Sequence, residues 1–247
     1  MTSIPVHPSR RAEALGGWSL IAATVLFGAV FTWLAGAFNY PEVLDGPAAD
    51  VLPRLLALGP LGRAVWVVYG LVPLLLPTAI GVRAAGAEHS PETSRVAVLL
   101  AAASALCLMA GLLRWPSLHW QLAFAFEHAT PAARDAMAAV FLATNSHLGN
   151  YVGEFLGKLF LTTFLLCASL VLADQSGRPG RWLRRAGFIA ALCGWTAMVR
   201  NVTPLVSTIA AANNVILPAW MLLLGVTLVR LARQPRRRCL RSAAAPV

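Results

Sequence analysis

Long apolar runs without charge constrain this chain more than any other feature. A membrane-crossing helix needs about 20 mostly apolar residues. Leu15 to Phe38 contains no charged side chain at all. Only 12% of the 247 residues are charged and 58% are hydrophobic, with a mean hydropathy of +0.68. Soluble domains carry about 25% charged residues. Backbone groups inside a bilayer must find partners within the chain, and helices satisfy that locally. These runs therefore predict an all-α integral membrane protein.

The hydropathy pattern predicts six crossings: Leu15 to Phe38, Ala64 to Val82, Val96 to Leu113, His147 to Leu172, Ala186 to Val202 and Asn213 to Val229. Pro73 and Pro77 should kink the second. The link from Thr203 to Ala212 is apolar enough to re-enter the bilayer in part. Two short amphipathic helices are expected on the outer side. Pro47 opens one, with Val51, Leu52, Leu55 and Leu56 on a common face. Thr130-Pro131 opens the other, a capping residue followed by proline at the first helical position. Residues 1–233 are read as the membrane domain and 234–247 as a basic, disordered cytoplasmic tail.

The net charge of +10 does not indicate nucleic acid, because the arginines gather at the ends of apolar runs. With a cytoplasmic N-terminus, 14 of the 20 basic residues fall on the cytoplasmic side. They are Arg10, Arg11, Arg83, Arg95, Arg178, Arg181, Arg184, Arg185, Arg230, Arg233, Arg236, Arg237, Arg238 and Arg241. That bias places both termini in the cytoplasm of a bacterial inner membrane. Trp33, Trp115 and Trp120 then fall near the outer interface, and Trp18 and Trp182 near the inner one. The tail from Arg230 should attract anionic lipid headgroups. Ala35-Gly36-Ala37 has the look of a signal cleavage site, but the apolar run before it is too long for a signal peptide.

Several outer and intramembrane stretches look familiar together. They are Phe38-Asn39-Tyr40-Pro41-Glu42-Val43-Leu44, then Pro47 and Val51-Leu52; Leu113-Arg114-Trp115-Pro116; and Leu148-Gly149 through Gly153-Glu154-Phe155-Leu156-Gly157. In these the chain resembles a family of uncharacterised multi-pass bacterial membrane proteins, known only as a domain of unknown function. The resemblance spans most of the chain. It implies an integral membrane location and no established activity.

The fourth predicted crossing is the most informative. His147, Tyr151, Glu154 and Lys158 stand at offsets 0, 4, 7 and 11, one stripe of an α-helix, with Asn150 at its edge. Ionisable groups in a membrane helix cost about 2.5–3.5 kcal/mol each on insertion scales, so they face the bundle interior and find partners. Two arrangements are open. Glu154 and Lys158 can pair on one helix as a structural tie. Alternatively, the stripe lines a pocket open to the outer side, with Arg200, Asn213 and Asn214 contributed by the fifth and sixth crossings. Arg200 then becomes a second partner for Glu154. Arg114 is expected to snorkel to the outer interface.

No recognised catalytic motif, phosphate loop or paired-histidine metal motif is present. His119, His128 and His147 all lie on the outer side without ligand spacing, and Cys107, Cys167, Cys193 and Cys239 form no C-x-x-C. No cofactor, metal or disulfide is expected, and catalytic residues are not identifiable. Three functions stay open, in this order: a small-molecule or lipid binding or accessory module; a membrane-embedded enzyme acting on a lipid or isoprenoid with Glu154 as acid or base; and a transporter. Membrane lipids are the expected partners, with an unidentified small molecule or lipid in the pocket and no nucleic acid.

Overall fold

The computed structural model describes residues 8–175 and 180–234, and every element among them is helical. Cys239, Arg178 and the tail beyond Gln234 lie outside the described residues. Helix α1 runs Pro8–Phe38. It ends where Asn39 takes the left-handed conformation (φ 55°) and the Tyr40 N–H donates back to Leu34 O at 3.3 Å. That is a glycine-type cap in which asparagine substitutes for glycine. Helix α2, Ala48–Ala57, buries Ala48, Val51, Leu52 and Leu55. The face predicted from sequence is therefore turned into the protein.

Helix α3, Gly59–Leu71, and helix α4, Leu76–Ala85, form one apolar stretch. It breaks at residues 72–75, where Pro73 cannot donate a helical hydrogen bond. Helix α5, Pro91–Leu113, does not stop at Arg114: a wider π turn over Trp115–His119 carries it into α6, Trp120–Glu127. Helix α7, Pro131–Thr144, is capped by Thr130, whose hydroxyl accepts from the Ala133 N–H at 3.4 Å. It is not a separate element beside the fourth crossing. It continues through twelve residues of π winding, Asn145–Leu156, directly into α8, Gly157–Gln175. Helix α9 covers Gly180–Met198, and α10 covers Ser207–Arg233 with Pro218 inside it. The link before α10 folds as one tight turn, Pro204–Val206.

Among the described residues five stretches are long and apolar enough to cross a membrane: Ser9–Phe38, Gly59–Ala85, Pro91–Glu127, Pro131–Gln175 and Pro204–Arg233. These fit a multi-pass membrane protein. The expected fifth crossing, α9, is not among them: it is 19 residues long and carries Arg181, Arg184 and Arg185 in its first turns.

Glycines set the helix contacts, as expected where packing rather than water drives association. Consecutive Gly16 and Gly17 bring α1 onto two neighbours. A Cβ on Gly16 would lie 2.8 Å from Gly81 Cα of α4, and one on Gly17 would lie 2.7 Å from Gly225 O of α10. Helix α9 packs along α8 through Gly187 on Ser169 and Gly194 on Thr162. The Trp220 Nε1–H donates to Ser169 Oγ at 3.0 Å, joining α10 to α8.

Two apolar cores result. One joins α1, α4, α5, α8, α9 and α10 around Phe164, Leu165 and Leu224. The other joins α1, α2, α3, α6 and α7 around Phe38, Trp66, Trp115 and Phe141. Trp66 and Trp115 stack at 5.0 Å between ring centroids. Trp115 is thus a core residue and not a member of an interfacial belt, whereas Trp18 and Trp182 are exposed.

Candidate functional site

The two cores leave a cavity of about 520 Å³ where they meet. Tyr69 and Trp115 of one core line it, as do Leu75, Leu161 and Met221 of the other. Among these apolar walls stand Arg114, Asn150, Glu154, Lys158, Arg200, Asn213 and Asn214.

The geometry begins with the π segment. Three glycines four residues apart, Gly149, Gly153 and Gly157, face α5. A Cβ at each would meet Arg114 Nη2 at 2.4 Å, Gly111 Cα at 2.8 Å and Leu108 Cδ2 at 2.8 Å. Their absent side chains let the two backbones touch, and Ser104 Oγ–H donates to Gly157 O at 3.1 Å across the contact. Winding with i→i+5 hydrogen bonds keeps residues four apart on a shared face. Asn150, Glu154 and Lys158 consequently point at the cavity together.

His147 and Tyr151 belong to a different face. Both are exposed and neither lines the cavity. The common stripe expected for His147, Tyr151, Glu154 and Lys158 assumed 3.6 residues per turn, and the π winding breaks that register. The structure brings Asn150, Glu154, Lys158, Arg200, Asn213 and Asn214 together and leaves His147 and Tyr151 outside.

Glu154 is held from two helices. Arg200 grips it with both edges of the guanidinium: Nε donates to Oε1 at 2.7 Å and Nη2 to Oε2 at 2.6 Å. Lys158 Nζ donates to Oε1 at 2.5 Å. Asn201 Nδ2 reaches Oε2 at 3.4 Å and Asn150 O at 2.9 Å. The two partners left open by the sequence are therefore both engaged. A carboxylate has about four lone-pair positions, and four donors occupy them.

Arg114 was not legible as part of this site. It is 6% exposed, buried rather than snorkelling. Its Nε and Nη2 donate to Asn145 Oδ1 at 3.3 and 2.8 Å, and Nη1 donates to Gly111 O. Asn145 in turn donates to Leu44 O at 2.8 Å. The space at Gly149 and the acceptor at Asn145 keep the guanidinium inside. The four-residue glycine spacing was the available signal for this close contact. Tyr40 and Tyr69, also unflagged by the sequence, stand at the cavity wall with hydroxyls 3.5 Å apart.

The histidines do not gather. His119 is buried, with Nε2 at 3.3 Å from Thr144 Oγ1, while His128 Nδ1 lies 3.1 Å from Phe124 O. Among the described residues no three His, Cys, Asp or Glu side chains come together as a metal site, and Cys107, Cys167 and Cys193 are free thiols.

Comparison with known proteins adds a family but no activity. Neither a curated protein nor a solved structure matches the chain. The family described as Domain of unknown function (DUF4386) matches residues 15–225, a stretch that includes every residue of the cavity wall. The match covers most of the chain, and the chain belongs to that family.

Proposed function

We propose that this protein is a binding or accessory module of a bacterial cytoplasmic membrane, whose cavity takes a small molecule or lipid from the outer side. The chain crosses six times with both termini cytoplasmic; residues 1–233 form the membrane domain and 234–247 a basic cytoplasmic tail. Helix α9 is the fifth crossing and completes the six: its 19 residues reach about 28 Å, close to a hydrocarbon core of about 30 Å. Its arginines at 181, 184 and 185 gather at the Gly180 end, as a cytoplasmic end requires. The opposite end, with α2, α6 and α7, is the outer one, and these helices roof the bundle.

The observation that carries this reading is the cavity itself. Small-molecule sites are largely apolar clefts of about 300–1,000 Å³ with a few convergent polar groups, and a wall of about 520 Å³ with Arg114, Lys158, Arg200 and three asparagines among apolar side chains fits that pattern. An enzyme reading with Glu154 as acid or base ranks second, because four donors already fill its acceptor positions. A transporter ranks third, since no inverted repeat is visible in the sequence.

Native mass spectrometry of protein extracted in mild detergent tests the reading. The wild type should retain a bound small molecule or lipid, and Ala211→Trp, which fills the cavity from α10, should lose it. An empty wild type, or an adduct unchanged in Ala211→Trp, contradicts the proposal.

A further inference from the structure

We propose that the cavity's ligand is an amphiphile with an oxyanion head, a carboxylate or phosphate, and an apolar chain. This rests on reading the cavity as a binding site. Three cations line the cavity, Arg114, Lys158 and Arg200, against one carboxylate, Glu154. Glu154 is already engaged by Arg200, Lys158 and Asn201. It has no acceptor position left for Arg114.

The hydrogen bonds of Arg114 go to neutral oxygens, those of Asn145 and Gly111, and its guanidinium lies 5.0 Å from the centroid of the Trp115 ring, a contact that carries no negative charge. Among the described residues it makes no ion pair with a carboxylate. A guanidinium stays protonated in proteins, and a buried charge at membrane depth is costly without a counter-charge. Three of its five N–H donors are used by the protein. The remaining two are free for an anion, and a planar fork suits a carboxylate or phosphate. Asn150, Asn213 and Asn214 add neutral polar groups to the same cavity wall.

The chain half of the ligand follows from the walls. From each polar group the lining turns apolar toward the same end of the bundle. Leu108 of α5 lies nearly two turns from Arg114, Leu161 two turns from Glu154 and just past Lys158, and Met221 two turns from Asn214 on α10. At 1.5 Å per residue each step is about 10 Å. Phe27 and Phe31 of α1 close the apolar part. A head at Arg114 with a chain descending between these residues satisfies both the excess charge and the apolar wall. A free inorganic anion would satisfy only the first.

The test uses the full chain in nanodiscs of zwitterionic phosphatidylcholine, with Trp115 at the cavity wall as a fluorescent reporter. The probes are dodecyl phosphate, dodecanoate, dodecanol and inorganic phosphate. Dodecyl phosphate and dodecanoate should bind about tenfold tighter than dodecanol, the worth of a charge-assisted hydrogen bond. Arg114→Gln should erase that preference, bringing the two anionic probes to the affinity of dodecanol. Lys158→Met, which leaves the Arg200–Glu154 pair in place, should weaken the two anionic probes selectively, and keeps the test usable if Arg114→Gln does not fold. Equal binding of dodecanol and dodecyl phosphate overturns the oxyanion assignment while the binding reading stands. Inorganic phosphate binding as tightly as dodecyl phosphate overturns the amphiphile assignment. Binding of none of the probes removes the binding reading itself.

Discussion

Glu154→Gln should destabilise the protein by about 3 kcal/mol, because removing one member of a buried ion pair strands the other charge. Here two cations, Arg200 and Lys158, share the carboxylate that is removed. Arg200 would keep its proton and lose the two-pronged contact, since glutamine offers one acceptor oxygen and turns the other position into a donor, and Lys158 would lose its ion-pair partner. The side chains concerned are 17%, 29% and 19% exposed for Glu154, Arg200 and Lys158, so water screens them poorly. Arg200→Met should cost about 2 kcal/mol, since it breaks the tie between the π segment and the end of α9 yet leaves Glu154 with Lys158 and Asn201. Lys158→Met should cost less than about 1 kcal/mol, because the two-pronged Arg200 contact survives it. Thermal unfolding in one detergent, followed by tryptophan fluorescence, gives the order. If Lys158→Met proves as damaging as Glu154→Gln, the carboxylate serves its own helix and not the junction between two.

Gly153→Leu should prove as damaging or worse, through sterics alone. Even the Cβ of alanine at this position would lie 2.8 Å from Gly111 Cα and 3.0 Å from Leu148 O, both rigid backbone. Overpacking of this kind costs about 1–3 kcal/mol for a small group, so Gly153→Ala should fall at the top of that range. Leucine cannot be accommodated without separating α5 from the π segment. That separation breaks the Ser104–Gly157 bond and the Arg114–Asn145 contact together. Gly28→Ala and Gly36→Ala on α1 are the controls: a Cβ at either meets nothing within 4 Å, and alanine favours helix by about 1 kcal/mol over glycine. The same melting assay should place the controls at or above wild type. Gly153→Ala indistinguishable from Gly28→Ala would mean that α5 and the π segment are not held at backbone contact.

What the sequence revealed, and what it hid, follows from which interactions are local. Apolar runs, the break at Pro73 and the Thr130-Pro131 helix start are written in neighbouring residues, and each could be read directly. Gln234 and the residues after it lie at the margin or outside the described part, so the tail reading adds nothing to the fold. The continuity of α7 with α8 was hidden because Asn145, Ser146 and His147 resemble a polar linker. In the structure Asn145 is instead a buried bridge between Arg114 and Leu44 O.

Glu154, Lys158 and Arg200 could be singled out because charges in apolar runs are conspicuous wherever they sit. His147 and Tyr151 were grouped with them by an α-helical period that the π winding does not keep. Arg114 was misplaced for a related reason. An arginine at the end of an apolar run normally reaches for water. The empty space at Gly149 and the acceptor of Asn145, both contributed from another helix, explain why this one stays inside.

Labelling of Asn214→Cys tests the central claim most directly. Asn214 is exposed on α10 and lines the cavity. In a chain with Cys107, Cys167, Cys193 and Cys239 replaced by serine, a membrane-impermeant maleimide is added to intact spheroplasts. Labelling is expected from outside, slowed by dodecyl phosphate as the cavity fills. Labelling only after the membrane is opened would place the cavity mouth on the cytoplasmic side, and no labelling from either side would mean that the cavity is sealed; either result contradicts the account.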